Sequence, residues 1–104
     1  MSHIIATGFN AGSTDGEFAS LESDLRSLAE MGVDTVELGL TSVDLIAGGR
    51  LVSERVERLV ALTRQFPFRY TVHGLVSSNF MDPETCGYQL DAARALAQIC
   101  DRIG

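Results

Sequence analysis

Short apolar segments rich in β-branched residues alternate with longer amphipathic segments along the whole sequence. The short segments are residues 3–9, 34–40 and 68–73, and each is of a length and composition typical of a buried strand. A longer segment with the 3.6-residue apolar period of a helix follows each of them. Three strand-then-helix units in a row require parallel strands joined by right-handed crossovers. The sequence therefore predicts an α/β fold of three consecutive βα units with parallel strands.

Local signals predict where each helix begins and which side of it faces inward. The first helix starts at Phe18 and ends at Gly32, the second runs from Ser53 until Pro67 stops it, and Asp82-Pro83-Glu84 caps the third. Residues 41–52 show little regular pattern. The predicted inward residues are Phe18, Leu21, Leu25, Leu28 and Ala29, then Val56, Leu59, Val60 and Thr63, then Leu90, Ala93, Leu96, Ala97, Cys100 and Ile103.

Composition narrows the class of protein further. A chain of 104 residues with 45% apolar and 21% charged residues is ordinary for one small globular domain. The net charge of −6 disfavours autonomous nucleic-acid binding, which needs clustered cations. No segment resembles a secretory signal or a membrane span, so we expect a cytoplasmic protein without a membrane partner. Cys86 and Cys100 are predicted to be reduced, buried, structural residues.

A sheet of three parallel strands leaves both outer edges unpaired and is small for the helices that must cover it. We therefore expect residues 1–104 to be the N-terminal part of a larger fold, or to self-associate as a homo-oligomer. The strand residues Ile4, Val36, Leu38 and Val72 are predicted to add to this tendency if helices leave them uncovered.

Several short motifs resemble the xylose isomerase-like TIM barrels, a superfamily of sugar-phosphate isomerases and epimerases and type 2 apurinic endonucleases. The third unit carries Val72-His73-Gly74, then Ser78-Asn79-Phe80-Met81-Asp82-Pro83, and a helix ending Cys100-Asp101-Arg102-Ile103-Gly104. The second strand, Gly32-Val33-Asp34-Thr35-Val36-Glu37-Leu38, is similar to the glycine-to-Glu-Leu strand of the isomerase branch. The resemblance covers the chain as three of the eight units of a barrel that typically has about 250 residues.

The resemblance gives three side chains candidate roles. His73 matches a strand-three histidine that binds metal in the endonuclease branch, and imidazole is a good ligand for Zn²⁺ and related ions. Glu37 is a candidate for binding a sugar hydroxyl or a metal-bound water, and Asn79 matches a loop asparagine that is a candidate for substrate binding. Catalytic groups of TIM barrels lie at the carboxyl ends of the strands, so Glu37 and His73 are expected to face one mouth.

Each candidate also has a purely structural interpretation. His73 can cap its strand by bonding to a loop, Glu37 can pair with an arginine, and Asn79 can fix its own loop through turn hydrogen bonds. The loop 12–16 contains glycines but lacks a nucleotide-binding pattern, so it is predicted to be a plain loop. No residue of this chain alone is predicted to be catalytic.

The family implies a metal-dependent sugar or sugar-phosphate isomerase or epimerase. A complete barrel would use a divalent metal (Zn, Mn or Mg) and a small-molecule sugar substrate, whereas these three units alone are expected to be inactive and to bind no metal tightly. One alternative is a non-enzymatic βα association module. Another is part of an apurinic endonuclease-type repair enzyme, which the net charge and Thr7-Gly8, in place of a strand-one histidine, disfavour.

Overall fold

The computed structural model describes residues 4, 6–11, 17–39, 45–74 and 80–104. The predictions for Asn79 and for the loop 12–16 lie outside the described residues. In chain order the elements are β1 (Gly8–Ala11), α1 (Phe18–Met31), β2 (Thr35–Gly39), β3 (Ile46–Ala47), β4 (Arg50–Leu51), α2 (Ser53–Thr63), β5 (Arg69–His73) and α3 (Cys86–Ile103).

The three longer strands form one parallel sheet in the order β1-β2-β5, which confirms the α/β class and the parallel strands. Consecutive strands of this sheet are neighbours, so the chain adds each new strand on the same side. Val36 and Leu38 of β2 are buried in one apolar cluster with the inner faces of the three helices. The helices therefore cover one face of the sheet, as right-handed crossovers between neighbouring parallel strands require.

Two of the predicted helix faces form the core. Phe18, Leu21, Leu25 and Leu28 of α1 are buried, and so are Val56, Leu59, Val60 and Thr63 of α2. Ala29, which was predicted to face inward, is exposed, because the buried face of α1 is narrower than the apolar pattern. The guanidinium groups of Arg55 and Arg58 lie 4.9 and 4.5 Å from the centroid of the Phe18 ring and close this edge of the core.

The first strand begins later than predicted. Strand β1 starts at Gly8 and pairs in register with Thr35, the first residue of β2. Continued backwards, that register would set Ile4 opposite Met31, which belongs to helix α1. Ile4, which was predicted to lie in the buried strand, is 74% exposed.

The segment predicted to be irregular contains a two-stranded antiparallel hairpin. Ile46 pairs with Leu51 and Ala47 with Arg50, across a turn in which Gly48 and Gly49 have φ angles of 59° and 74°. Two consecutive left-handed residues define the tight turn that favours Gly-Gly. The hairpin packs on α3, where a Cβ at Gly49 would lie 3.2 Å from the Cβ of Asp91.

Helix α3 differs from its prediction at its start and in its orientation. The helix begins at Cys86, so Asp82 does not cap it. The Asp82 carboxylate instead accepts hydrogen bonds from the Glu84 N–H (2.9 Å) and the Thr85 hydroxyl (2.8 Å). The buried side chains are Ala92, Ala95 and Ile99. Of the predicted inward residues, Leu96, Ile103 and Ala93 are partly buried, and Leu90, Ala97 and Cys100 are exposed.

The small side chains of α3 explain this rotation. Alanines at positions 92 and 95 allow the helix to pack beside the hairpin, α2 and β5, whereas the larger Leu90 is left outside. The prediction of two buried cysteines was wrong, because Cys86 is half-buried and Cys100 is exposed. Within the described ranges no helix is long and apolar enough to cross a membrane.

Tyr70 links β5 to the end of α2. Its hydroxyl donates a hydrogen bond of 2.9 Å to the Thr63 carbonyl, in the last residue of α2. Partial burial raises the pKa of the Tyr70 phenol to about 12. This contact and the turn at residues 64–66 end the helix before Pro67, earlier than predicted.

Candidate polar site on the sheet

Alternation along the strands gives the two faces of the sheet opposite chemistry. Buried Val36 and Leu38 point to the helices, so Thr35, Glu37 and Gly39 of β2 point to the other face. On β5, Arg69, Thr71 and His73 alternate in the same way with the partly buried Tyr70 and Val72. None of the helices in the described part of the chain covers this polar face. It is the face that would line the interior if the sheet curved into a barrel.

The strand register brings chemically useful groups into rows across this face. Asn10, Glu37 and Thr71 are register partners on β1, β2 and β5, and Gly39 is the partner of His73 in the row beyond. The row of Gly39 and His73 lies at the carboxyl ends of β2 and β5, and the row of Asn10, Glu37 and Thr71 lies beside it at mid-strand. An amide, a carboxylate, a hydroxyl and an imidazole thus occupy two successive rows of an uncovered surface.

A shallow depression of about 390 Å³ lies on this surface. It is lined by Gly8, Phe9, Asn10, Thr35, Glu37 and Thr71. Gly8 is needed where β1 approaches β2, because a Cβ there would be 2.7 Å from the Thr35 carbonyl oxygen. Phe9 is 54% exposed, and its register partner Val36 points to the helices, so strand alternation places the Phe9 side chain on the face opposite Asn10 and Glu37.

Glu37 and His73, the two predicted site residues that the structure describes, are in contact. Glu37 Oε1 lies 3.1 Å from His73 Nδ1. The side chains are 39% and 57% exposed respectively, so water reaches both of them. The two side chains thus lie on the same side of the sheet, as expected. The partner of Glu37 is the His73 imidazole and not the arginine that was considered. Their roles toward a ligand stay predictions, as does that of Asn79.

The pair offers part of a metal site. A carboxylate oxygen and an imidazole nitrogen are both ligands of Zn²⁺ and related ions, but a catalytic zinc site generally has three protein ligands. No group of three or more His, Cys, Asp or Glu residues able to hold a metal occurs in the described ranges. Glu37 and His73 would therefore hold a divalent ion only together with further ligands.

Sequence reasoning missed Asn10 and Thr71 as parts of this surface. Asn10 was assigned to the loop after β1 because the predicted strand ended too early. Thr71 alternates with Tyr70 and Val72, so the two-residue period of the strand places it on the same face as His73.

Fold and site together define a singly wound parallel α/β unit with one helix-covered face and one open polar face. Comparisons with protein families, with curated proteins and with solved structures found no match to this chain.

Proposed function

We propose that this chain is the first three βα units of a sugar-binding barrel, in which the open polar face forms part of the substrate mouth. The activity proposed for the whole barrel is metal-dependent isomerisation or epimerisation of a sugar or sugar phosphate. The observation that carries the proposal is the contact of Glu37, in the middle of β2, with His73, at the carboxyl end of the neighbouring parallel strand β5.

The winding of the sheet supports a barrel over an open doubly wound sheet. Its strands follow one another in chain order and its described helices lie on one face. A doubly wound sheet instead reverses its strand order and carries helices on both faces. The outer edges of β1 and β5 have no strand partner in the described ranges, so further strands can extend the sheet on either side.

The chemistry of the depression supports a sugar. The carboxylate of Glu37, the amide of Asn10 and the hydroxyls of Thr35 and Thr71 can accept and donate the hydrogen bonds that sugar hydroxyls need. Ligand sites fix the orientation of a ligand with a small number of such placed polar groups.

Saturation-transfer NMR on the purified chain with D-xylose tests the proposal. We expect weak binding in the millimolar range, because three units supply only part of a mouth, and we expect Glu37→Gln to weaken it several-fold. Glu30→Gln is the matched control, since Glu30 is exposed on α1, in the layer that covers the opposite face of the sheet. Absence of transfer to the sugar, or equal transfer with both variants, contradicts the proposal.

A further inference from the structure

A second depression, also of about 390 Å³, lies between the β3–β4 hairpin and α3. The hairpin contributes Arg50 and Leu51 to its lining, and α3 contributes Asp91, Arg94, Ala95 and Gln98. None of these residues lines the depression on the polar face of the sheet. Small-ligand sites commonly have volumes of about 300–1,000 Å³. The hairpin and α3 therefore enclose a separate space of the size of a ligand site.

The fold holds the two walls of this depression close together. The lining residues of α3 are three, four and seven positions from Asp91, so they form one stripe of the helix. The turn of the hairpin packs directly on that stripe, since a Cβ at Gly49 would lie 3.2 Å from the Cβ of Asp91. Arg50 is the next residue along the chain and begins β4. Ala95, which is 4% exposed, and half-buried Leu51 give the depression an apolar floor.

The charged groups of the walls are poorly neutralised. Among the described residues, none forms an ion pair or a hydrogen bond with the side chain of Arg50. Arg94 Nη1 lies 3.5 Å from Asp91 Oδ1, and these side chains are 74% and 62% exposed. Exposed pairs of this kind contribute little free energy, so Arg94 is available to a second anion. Two guanidinium groups and one carboxylate leave an excess of positive charge here, in a chain with a net charge of −6.

We infer that this depression binds a phosphate group, which Arg50 and Arg94 hold from its two walls. A guanidinium fork matches two oxygens of a phosphate, and the three oxygens of a phosphate monoester can engage two forks. A carboxylate has two oxygens, which one fork already satisfies. The carboxamide of Gln98 adds an N–H donor, and the floor of Leu51 and Ala95 suits the organic part of an ester.

The inference goes beyond the sugar proposed for the polar face and does not depend on it. Helix α3 belongs to the layer that covers the other face of the sheet, so a phosphate held here is not part of a ligand bound on the polar face. Free phosphate and phosphate esters share the chemistry that the two arginines recognise.

Titration of the ¹⁵N-labelled chain with phenyl phosphate tests the inference at constant ionic strength and pH 7.5, where the phosphate group is mostly dianionic. We expect saturable shifts of the Arg50 and Arg94 Nε–H signals and of the Gly49 amide, with millimolar affinity because the site is open to water. Inorganic phosphate separates the two sources. Tighter binding of phenyl phosphate assigns the site to esters, and equal or tighter binding of inorganic phosphate assigns it to the free ion; either result supports a phosphate site. Acetate should bind several-fold more weakly than both, and equal affinity for acetate overturns the phosphate assignment.

Substitutions distinguish a specific site from general attraction of anions. Arg50→Gln and Arg94→Gln should each weaken phosphate binding several-fold, and so should Arg50→Lys, which keeps the charge but loses the planar fork. Arg64→Gln is the matched control, because Arg64 is exposed at the end of α2 and does not line the depression. All three arginines are exposed, and circular dichroism would establish that each variant folds. Shifts that do not saturate, unchanged affinity in Arg50→Lys or Arg94→Gln, or an equal loss in Arg64→Gln overturns the inference.

Discussion

Two hydrogen bonds made by strand side chains distinguish the two faces of the sheet. One joins Glu37 to His73 on the open face, and the other joins Tyr70 to the end of α2 on the covered side. The first lies in water and leaves polar groups accessible to a ligand. The second is shielded, so it contributes to stability rather than to binding.

The Tyr70 contact predicts a specific loss of stability. Tyr70→Phe removes the hydrogen bond to the Thr63 carbonyl and should lower the free energy of unfolding by about 0.5–1.5 kcal/mol in urea titrations. Tyr88→Phe is the matched control, because Tyr88 is 53% exposed on α3 and should change stability little. Equal losses in the two variants would contradict the role given to Tyr70.

Tyr70 also predicts how stability depends on pH in alkaline solution. Its pKa rises from 10.0 to about 12 on folding, so above pH 10 the native state holds a proton that the unfolded state loses. The stability that this group contributes is complete below pH 10 and should decline as the pH rises toward 12. The decline should be smaller in Tyr70→Phe, measured by urea unfolding at a series of pH values. Identical pH profiles for the wild type and Tyr70→Phe would contradict this contribution of Tyr70.

Metal binding is expected to be weak because Glu37 and His73 supply two ligands. Calorimetric titration with Zn²⁺ should reveal no tight site in this chain, and His73→Ala should remove the weak binding that remains. A stoichiometric ion that survives dialysis of the wild type and disappears in His73→Ala would show that further ligands complete the site.

The positions of Glu37 and His73 could be predicted from sequence, but their contact could not. Strand periodicity and parallel pairing are enough to set both near the carboxyl edge of the sheet. Contact also depends on the register between β2 and β5, which follows from how the helices pack. The same limit applies to Asn10, whose place depends on where β1 begins to find a partner.

Among the elements, the β3–β4 hairpin and α3 were the least predictable. The hairpin has a local signal, the Gly-Gly pair between short apolar segments. Its strands have two residues each, which is too short to show the alternation of a strand. Helix α3 has apolar residues on more than one side, so periodicity alone did not determine its buried face. Packing against the hairpin selected the side with alanines, a tertiary effect that no local pattern contains.

Because the hairpin packs on α3, alanine substitutions at its two glycines should lower stability by different amounts. Ala at either position is strained by a positive φ, at a cost of about 1–2 kcal/mol. Gly49→Ala also brings a methyl group to 3.2 Å from the Cβ of Asp91, whereas nothing lies within 4 Å of a Cβ at Gly48. Gly49→Ala should therefore unfold at a lower urea concentration than Gly48→Ala. The reverse order would show that the hairpin does not pack on α3 in this way.

The assembled fold places apolar surface under the helices and leaves polar surface open. Val36 and Leu38, which were expected to drive association if uncovered, are buried, and Val72 packs against the core. Ile4, the fourth residue of that set, is 74% exposed. We expect association mainly at the outer edges of β1 and β5, which have no strand partner in the described ranges. The resemblance to a barrel and the cytoplasmic location remain predictions.

The open edges predict a homo-oligomer when the chain is purified alone. Light scattering during dilution should show a dimer or larger species that dissociates at low concentration. On β1, the Thr7 carbonyl accepts a hydrogen bond from the Thr35 N–H, so alternation turns the Asn10 N–H to the outer edge. A Pro substitution at Asn10 should therefore reduce association if that edge pairs, because proline cannot donate a strand hydrogen bond, and circular dichroism would establish that the variant folds. A folded monomer at every concentration would contradict this prediction.

The central claim is that the uncovered polar face binds the sugar. Solvent paramagnetic relaxation, measured with a neutral gadolinium chelate on the isotope-labelled chain, tests it residue by residue. Without sugar, Asn10, Glu37 and Thr71 should relax strongly while Val36 and Leu38 are protected, and saturating D-xylose should selectively reduce relaxation at the first three residues. Protection of Asn10, Glu37 and Thr71 before sugar is added, or relaxation there that D-xylose leaves unchanged, would contradict the account.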